Sequence, residues 1–237
     1  MKSSKRWEND IVYILRNDII NISELIYSLR SLDNFQHGRV IFAGGNPETL
    51  KPDRALEIKQ QGATKWERAT FTIKKVCEDK DISKSFYLFN DDFFILQKTD
   101  NIPTIYNGTI ADRIENYKKQ NGGQISDYFR RLEQTAEELT RRGLSTYNYA
   151  VHVPMLINKE KALEVFDIFD GSPMFRSLYG NYWNIGGTNR ADVKIQTIDE
   201  LPHDDADFVS TSDESFKRGA VGRYIRTMFK TKSIYEL

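Results

Sequence analysis

Short, continuous apolar runs in the N-terminal half constrain the fold of this chain more than any other feature. They cover residues 11–15 (IVYIL), 39–43 (RVIFA) and 85–89 (SFYLF). Runs of this length and composition fit strands that are buried on both faces. Helical patterns predicted between them cover residues 23–32, 53–61 and 66–79. Strands that alternate with helices predict an α/β fold with a mainly parallel sheet flanked by helices.

The second half of the chain is richer in predicted helix. We expect a helical insertion at about residues 110–145 and a basic C-terminal helix at about 214–230. Between them the pattern predicts the following elements: strands over 149–153, 193–198 and 208–210, a helix over 159–169, and a helix that is capped by Ser172, starts at Pro173 and runs to residue 179. A further short strand is expected over 93–96. Because no repeat or Pro/Ser-rich linker interrupts the chain, we predict a single domain over residues 1–237.

Composition excludes several classes of protein. Lys plus Arg and Asp plus Glu are 34 each, which argues against a general polyanion binder. Cys77 is the one cysteine, so internal disulfides and zinc sites with two or more thiolates are excluded. No run approaches the roughly 20 apolar residues of a membrane span, and the first ten residues lack the apolar core of a signal peptide. We therefore expect a cytoplasmic protein without a membrane span.

An acidic turn directly follows the third apolar run. Asn90, Asp91 and Asp92 lie between aromatic residues on both sides, so the two carboxylates are expected at the edge of a core. A bare charge there is costly, and Mg²⁺ or Mn²⁺ bound to oxygen ligands would offset it. Ligands of open α/β sheets bind beyond the carboxyl ends of strands. The turn thus predicts a metal site for a nucleotide diphosphate, the alternative being a solvated turn that caps local amides.

The acidic turn and four other segments carry a resemblance to a known family. SFYLFNDDFFIL strongly resembles the second characteristic region of the Stealth family, an apolar strand followed by Asn-Asp-Asp-Phe-Phe. The other segments that resemble Stealth regions are NDIVYILRND, SELIYSLRSL, RVIFAGGNPETL and HVPMLINKEKALEVF. The resemblance covers roughly residues 9–96 well and 150–182 loosely. Stealth proteins transfer a hexose-1-phosphate from a nucleotide-sugar, on a core similar to the GT-A fold of glycosyltransferases.

The resemblance implies a metal-dependent transferase with a GT-A-like, Rossmann-like sheet and a nucleotide-sugar donor, with uridine as the expected base. Tyr13 is followed by Ile-Leu-Arg where the family has Thr-Trp-Val-Asp-Gly, so ordinary glycosyl transfer is as compatible as sugar-1-phosphate transfer. A non-catalytic carbohydrate- or nucleic-acid-binding module is the third alternative. An acceptor glycan, a lipid-linked glycan and a modified nucleic acid all remain open as partners.

Donor contacts are predicted on two segments. Arg16, Asn17 and Asp18 follow the first strand, where a GT-A-like sheet faces the base and ribose, and a polar surface loop is the alternative. Arg68, together with Lys65, is predicted to lie where the donor diphosphate could bind, since Arg suits bidentate phosphate contact. Solvated surface residues are the alternative there.

Two catalytic candidates lie in the second half. His152 matches the His-x-Pro segment of Stealth proteins, which implies a general base or a metal ligand. Without the resemblance, a lone strand histidine is a structural residue. Arg176 resembles a Stealth arginine and is predicted to contact phosphate, with a surface arginine as the alternative. Asp92 completes the predicted catalytic set.

Two weaker hypotheses concern the acceptor and the tail. Residues 181–183 (Asn-Tyr-Trp) could form a wall for the acceptor sugar, although core packing is the more common role of such residues. The basic run over 217–232 could bind the donor, an anionic acceptor or nucleic acid, and a solvated helix is the alternative.

Overall fold

A computed structural model of the chain describes residues 9–169 and 174–237. The strands are β1 Asp10–Leu15, β2 Val40–Gly44, β3 Arg54–Glu57, β4 Ser85–Phe89, β5 Phe93–Ile95, β6 Ile105–Tyr106, β7 Met155–Asn158, β8 Thr188–Asn189, β9 Lys194–Ile195 and β10 Phe208–Thr211. The helices are α1 Ser23–Ser31, α2 Lys65–Glu78, α3 Ile110–Gln120, α4 Asp127–Arg141, α5 Lys159–Ile168, α6 Phe175–Tyr182, α7 Asp213–Arg218 and α8 Ala220–Met228, with a short 3₁₀ helix at Leu32–Asn34.

The central sheet has five strands in the order β3-β2-β1-β4-β7. The first four run parallel to one another, and β7 pairs antiparallel with β4 at the edge. The expected α/β fold, with a mostly parallel central sheet flanked by helices, is thereby confirmed.

Alternate residues of the central strands serve two separate cores. Val12 and Phe86 belong to the core on the face covered by α2 and α5. Tyr13 and Phe89 belong to the core on the opposite face, which includes residues of α1. Because successive side chains of a strand point to opposite faces, a strand covered on both sides has to be apolar at every position. This explains the continuous apolar runs of the sequence.

A second, three-stranded sheet has the order β5-β10-β9. Its β10 pairs antiparallel with β5 and parallel with β9. Phe94 of β5 stacks on Phe216 of α7, with ring centroids 5.8 Å apart, in a third apolar cluster that also contains residues of α8. This small sheet connects the C-terminal helices to β5, the strand that directly follows the acidic turn.

The prediction of a helix over residues 53–61 is wrong, because this segment contains the edge strand β3. Ala55 and Leu56 pair with Phe42 and Ala43 of β2. Burial alternates along β3, as expected for a strand at the edge of a sheet. Its short, mixed sequence carries little strand signal of its own, and the neighbouring strand supplies the hydrogen bonds that fix it.

Two further predictions need correction, and a third concerns residues that the structure does not describe. Residues 149–153 form no strand, and the strand of this region is β7, which follows Pro154. The single closing helix is instead two helices, α7 and α8, separated at Gly219. Ser172 and Pro173, predicted to start a helix, lie outside the described residues; α6 begins at Phe175 and ends at Tyr182.

The helices of the structure bear on the prediction that no segment of this chain spans a membrane. Within residues 9–169 and 174–237, none of the helices combines the length and the apolar character that a bilayer span requires.

Candidate active site

A cleft of about 570 Å³ opens at the carboxyl ends of β1 and β4. The next strand in the chain, β2, pairs with one side of β1, and β4 pairs with the other side. The strand order therefore reverses between β1 and β4. Crevices at such a reversal are where open α/β sheets bind their ligands. The volume lies within the usual range for small-molecule sites.

Asp91 and Asp92 both line this cleft. The Oδ2 atom of Asp92 accepts hydrogen bonds from Lys194 Nζ at 2.9 Å and from Ser210 Oγ at 3.0 Å. Its Oδ1 atom is buried and has no hydrogen-bond partner among the described residues. An unsatisfied buried carboxylate oxygen is costly, so this atom has the properties expected of a ligand for a cation.

Two more carboxylates, Glu24 of α1 and Asp213 of α7, line the same cleft. Burial raises the pKa of Glu24 well above its usual range. The 2.6 Å hydrogen bond that Thr211 donates to Glu24 opposes this shift, and the negative charge of Asp92 adds to it. Burial and the charge of Asp92 likewise raise the pKa of Asp91 to about 6, although Arg16 opposes the shift. The acidic groups therefore repel one another, and a cation would relieve that repulsion.

The carboxylates of the cleft suit a cation that binds together with a phosphate-containing substrate. In the described part of the chain, no group of three or more His, Cys, Asp or Glu side chains is arranged to hold a metal ion. Mg²⁺ commonly uses only one or two carboxylates and completes its shell with water and substrate phosphates. Asp91 and the unpartnered Oδ1 of Asp92 fit that mode of binding.

His152 is held by Asp192, a residue that the sequence did not single out. The Asp192 carboxylate accepts hydrogen bonds from the His152 backbone N–H at 2.9 Å and from its Nδ1 at 2.7 Å. Burial by itself would raise the pKa of Asp192, but the hydrogen bonds and charge of His152 outweigh it and lower the pKa. Because the carboxylate accepts at Nδ1, the proton of a neutral imidazole lies there and Nε2 is the basic nitrogen.

Arg176 is a fixed positive charge in the wall of the cleft. Its guanidinium donates to the backbone carbonyls of Val153, Val151 and Leu88 and lies 5.3 Å from the ring centroid of Phe93. Burial lowers its pKa to about 10, while the charges of Asp92 and Asp192 oppose the shift. Arg176 therefore clamps the end of β4 to the segment that carries His152.

The structure brings six of the nine predicted site residues into one cleft. They are Arg16, Asn90, Asp91, Asp92, His152 and Arg176. Lys65, named beside Arg68 as a possible phosphate contact, also lines it.

Three predicted donor contacts lie outside the cleft lining. Asn17 joins two loops, since its Nδ2 donates to Ile58 O at 2.9 Å. Asp18 is exposed, 3.8 Å from Arg16. Arg68 Nε donates to Gly62 O at 3.1 Å.

The aromatic wall of the cleft differs from the one predicted. Asn181 is buried and bonds the backbone of Tyr147, whereas Tyr182 and Trp183 bond α5 through Glu164 and the Lys161 carbonyl. The side chains of residues 181–183 do not line the cleft. Trp66 of α2 and Tyr128 of α4, both half-buried, line the cleft instead.

Several cleft residues were missed by sequence reasoning. They are Glu24, Trp66, Tyr128, Lys194 and Asp213, and Asp192 was missed as the partner of His152. Glu24 had a usable signal, because an acid on the apolar side of a predicted helix is unusual. Lys194 and Asp192 had none, since their partners lie 102 and 40 residues away.

A scan against models of protein families finds no match, and a search of curated proteins finds no significant match either. The geometry of the cleft is therefore what supports a functional interpretation.

Proposed function

We propose that this chain is a metal-dependent transferase that uses a nucleotide-sugar donor, with a uridine diphosphate sugar as the expected donor, and modifies an acceptor hydroxyl. The observation that carries the proposal is the pair Asp91 and Asp92 in the cleft, with one buried oxygen of Asp92 unpartnered. A cation held there and completed by diphosphate oxygens accounts for both the carboxylates and their position.

The scaffold supports the same interpretation. The parallel strands have the order β3-β2-β1-β4, with a reversal between β1 and β4, and open α/β sheets bind nucleotides beyond the strand ends at such a reversal. The acidic turn directly follows β4 and lines the cleft, and a GT-A-like core of the kind that the Stealth resemblance implies would hold its metal on such a turn. We therefore propose a GT-A-like fold and a compact relative of the Stealth family.

The proposed division of labour uses the groups that face the cleft. Asp91 and Asp92 hold the cation, which when bound neutralises the negative charge that develops on the leaving diphosphate. Lys194 and Arg176 add fixed positive charge beside it. Arg16 and Asn90 lie at the strand ends, where the rest of the donor would bind.

In glycosyl transfer, His152 would act as the general base. Its Nε2 takes the proton of the acceptor hydroxyl while the acceptor oxygen bonds to the anomeric carbon. The bond between that carbon and the phosphate oxygen breaks, and the nucleoside diphosphate leaves with the electron pair. Asp192 stabilises the imidazolium that forms.

Sugar-1-phosphate transfer is the second candidate, and the resemblance to Stealth proteins favours it. The acceptor hydroxyl would then lose its proton to the same base, and its oxygen would bond to the phosphorus nearest the sugar. The bond from that phosphorus to the bridging oxygen of the diphosphate would break, and the nucleoside monophosphate would leave with the electron pair. Mass spectrometry of the released nucleotide distinguishes the two reactions, because the first releases a diphosphate and the second a monophosphate.

Nucleotide release tests the proposal. The purified chain is incubated with a panel of nucleotide-sugars and Mn²⁺ or Mg²⁺, and we expect cation-dependent release that Asp91→Asn abolishes. Asp100→Asn, an exposed aspartate in a turn remote from the cleft lining, is the matched control and should retain activity. Full activity of Asp91→Asn, or no binding of any nucleotide-sugar by calorimetry, would overturn it; the latter result favours a non-catalytic binding module.

A further inference from the structure

Lys194 is the cation that directly contacts the acidic turn. Its Nζ lies 2.9 Å from Asp92 Oδ2, and the pair is largely buried, since the side chains of Lys194 and Asp92 are 21% and 13% exposed. Within residues 9–169 and 174–237, no other ion pair shorter than 4 Å involves a carboxylate that lines the cleft. The charge of Lys194 therefore lies beside the carboxylate that is proposed to bind a divalent cation.

The small sheet β5-β10-β9 sets the position of this contact. Lys194 of β9 and Ser210 of β10 are paired in register, so their side chains leave the same face of the sheet. Both side chains donate to Asp92 Oδ2, whereas Asp92 Oδ1 has no partner among the described residues. The two donors differ in charge, because the ammonium is positive and the hydroxyl is neutral. A comparison of the two therefore separates the effect of charge from that of hydrogen bonding.

Two arginines of the cleft are engaged elsewhere. Arg176 donates to backbone carbonyls, and Arg16 is largely exposed and lies 3.8 Å from Asp18. A lysine ammonium has three donors on a flexible stem, so Lys194 can contact Asp92 and an oxygen of a second ligand at the same time. Lys194 would thus interact both with a metal ion and with a phosphate group at the acidic turn.

We infer that Lys194 makes the binding of a divalent cation depend on a diphosphate. Its charge weakens the binding of the cation alone, because like charges a few ångströms apart repel strongly in a partly buried site. The negative charge of the diphosphate attracts both the cation and Lys194, so the cation and the diphosphate bind cooperatively. This inference rests on the proposed function for the diphosphate, whereas the effect of Lys194 on the cation alone is measurable without a donor.

A purely structural role of Lys194 predicts a different result. If Lys194 only held Asp92 in place, its loss would release the carboxylate and weaken the binding of the cation and of the diphosphate alike. If its charge repels the cation, its loss strengthens the binding of the cation alone and weakens the binding of the diphosphate. The sign of the change in cation affinity therefore distinguishes the two roles.

Calorimetry at pH 8 tests the inference, with Mn²⁺ alone and with uridine diphosphate in saturating Mn²⁺. We expect Lys194→Gln to bind Mn²⁺ at least about tenfold more tightly than the parent chain and to bind uridine diphosphate roughly tenfold more weakly. Lys194→Met, which removes the charge but keeps an apolar stem, should behave in the same way. Lys194→Arg keeps the charge and should bind Mn²⁺ as weakly as the parent chain.

Two matched variants serve as controls. Ser210→Ala removes the other contact to Asp92 Oδ2 without a change of charge, and it should not tighten Mn²⁺ binding. Lys98→Gln removes an exposed positive charge outside the cleft lining, and it should change neither affinity. Thermal unfolding gives an independent readout, because Mn²⁺ alone should raise the Tm of Lys194→Gln more than that of the parent chain.

Two outcomes would overturn the inference. One is Mn²⁺ binding that Lys194→Gln and Lys194→Met leave unchanged or weaken, and the other is unchanged binding of uridine diphosphate. Either result contradicts only the role of Lys194 when the parent chain still binds uridine diphosphate in a cation-dependent way. If no sample binds uridine diphosphate, the proposed function is contradicted instead, while tighter Mn²⁺ binding by Lys194→Gln would still support the repulsion of the cation by Lys194.

Discussion

At the scale of single residues, the buried carboxylates of the cleft are only partly compensated by hydrogen bonds and positive charges. Lys194 and Ser210 both bind Oδ2 of Asp92, so this oxygen is satisfied while Oδ1 is not. Asp91 lies beside it with a raised pKa. A folded chain tolerates such groups where a ligand stabilises them, and charged groups of this kind cluster at functional sites.

The pH dependence of stability follows from Asp91. Its pKa is about 6 in the folded chain against an ordinary 3.8, so its contribution to stability is present below about pH 4 and is lost as the pH rises through 6. We expect Asp91→Asn to raise the free energy of unfolding by roughly 1–3 kcal/mol at pH 8 and by almost nothing at pH 3.5. Urea denaturation at the two pH values measures this, and an equal effect at both would contradict it.

The tautomer of His152 depends on Asp192. An amide at position 192 can donate to Nδ1 and so favour the tautomer that carries its proton on Nε2, which removes the base. We expect Asp192→Asn to lower kcat by about 10²-fold or more while the binding of donor changes little. Nitrogen NMR of the imidazole should report the changed tautomer.

Asp205→Asn, an exposed acid, is the control for that experiment. An unchanged kcat together with a changed tautomer would show that His152 is not the base.

At the scale of elements, helix α6 sets the position of the segment that carries His152. Gly180 of α6 lies against the ring of Tyr149, where an added Cβ would come within 2.3 Å of a ring carbon. The Tyr149 hydroxyl donates to Gly186 O at 2.9 Å, so the ring is fixed at both ends. The absence of a side chain at position 180 thus allows residues 149–153 to approach the helix.

Gly180→Ala should therefore destabilise the fold, against its helix propensity. Alanine normally stabilises a helix interior by up to about 1 kcal/mol relative to glycine, but here the overlap should cost roughly 1–3 kcal/mol. Thermal unfolding measures the net loss, with the exposed substitution Thr227→Ala in α8 as the control. A Gly180→Ala variant that melts above the parent chain would show that Tyr149 moves freely.

At the scale of the whole molecule, the strand order places Arg16 and the acidic turn side by side at the carboxyl ends of the central strands. The turns after β1 and β4 meet there, and the small sheet β5-β10-β9 adds Lys194 and Ser210 from the C-terminal part of the chain. Binding at this edge therefore couples segments from most of the sequence, and a ligand that binds only the folded chain stabilises all of them.

Thermal unfolding should report that coupling. A nucleotide-sugar with Mn²⁺ at about 100 times its dissociation constant adds roughly 2.7 kcal/mol, which corresponds to a rise in Tm of about 5–10 °C for a chain of this size. The same addition to Asp91→Asn should raise Tm by less than about 2 °C. An equal rise in the variant would place the ligand away from the acidic turn.

The sequence by itself determined the parallel strands β1, β2 and β4 and the acidic turn at the end of β4. Their signals are local, because a strand covered on both faces must be apolar throughout and two adjacent aspartates next to it stand out. The edge strand β3 and the division of the last helix at Gly219 were not predicted. Pairing with β2 decides the first, and the close approach of Gly219 and Gly222 to the backbone of Ser215 and Phe216 accompanies the second.

Only the tertiary structure decided how the cleft is completed. The contacts of Asp192 with His152, of Lys194 with Asp92 and of Thr211 with Glu24 join residues 40, 102 and 187 positions apart. No periodicity or motif encodes such pairs, because the folded sheet brings them together and burial then gives each contact its strength.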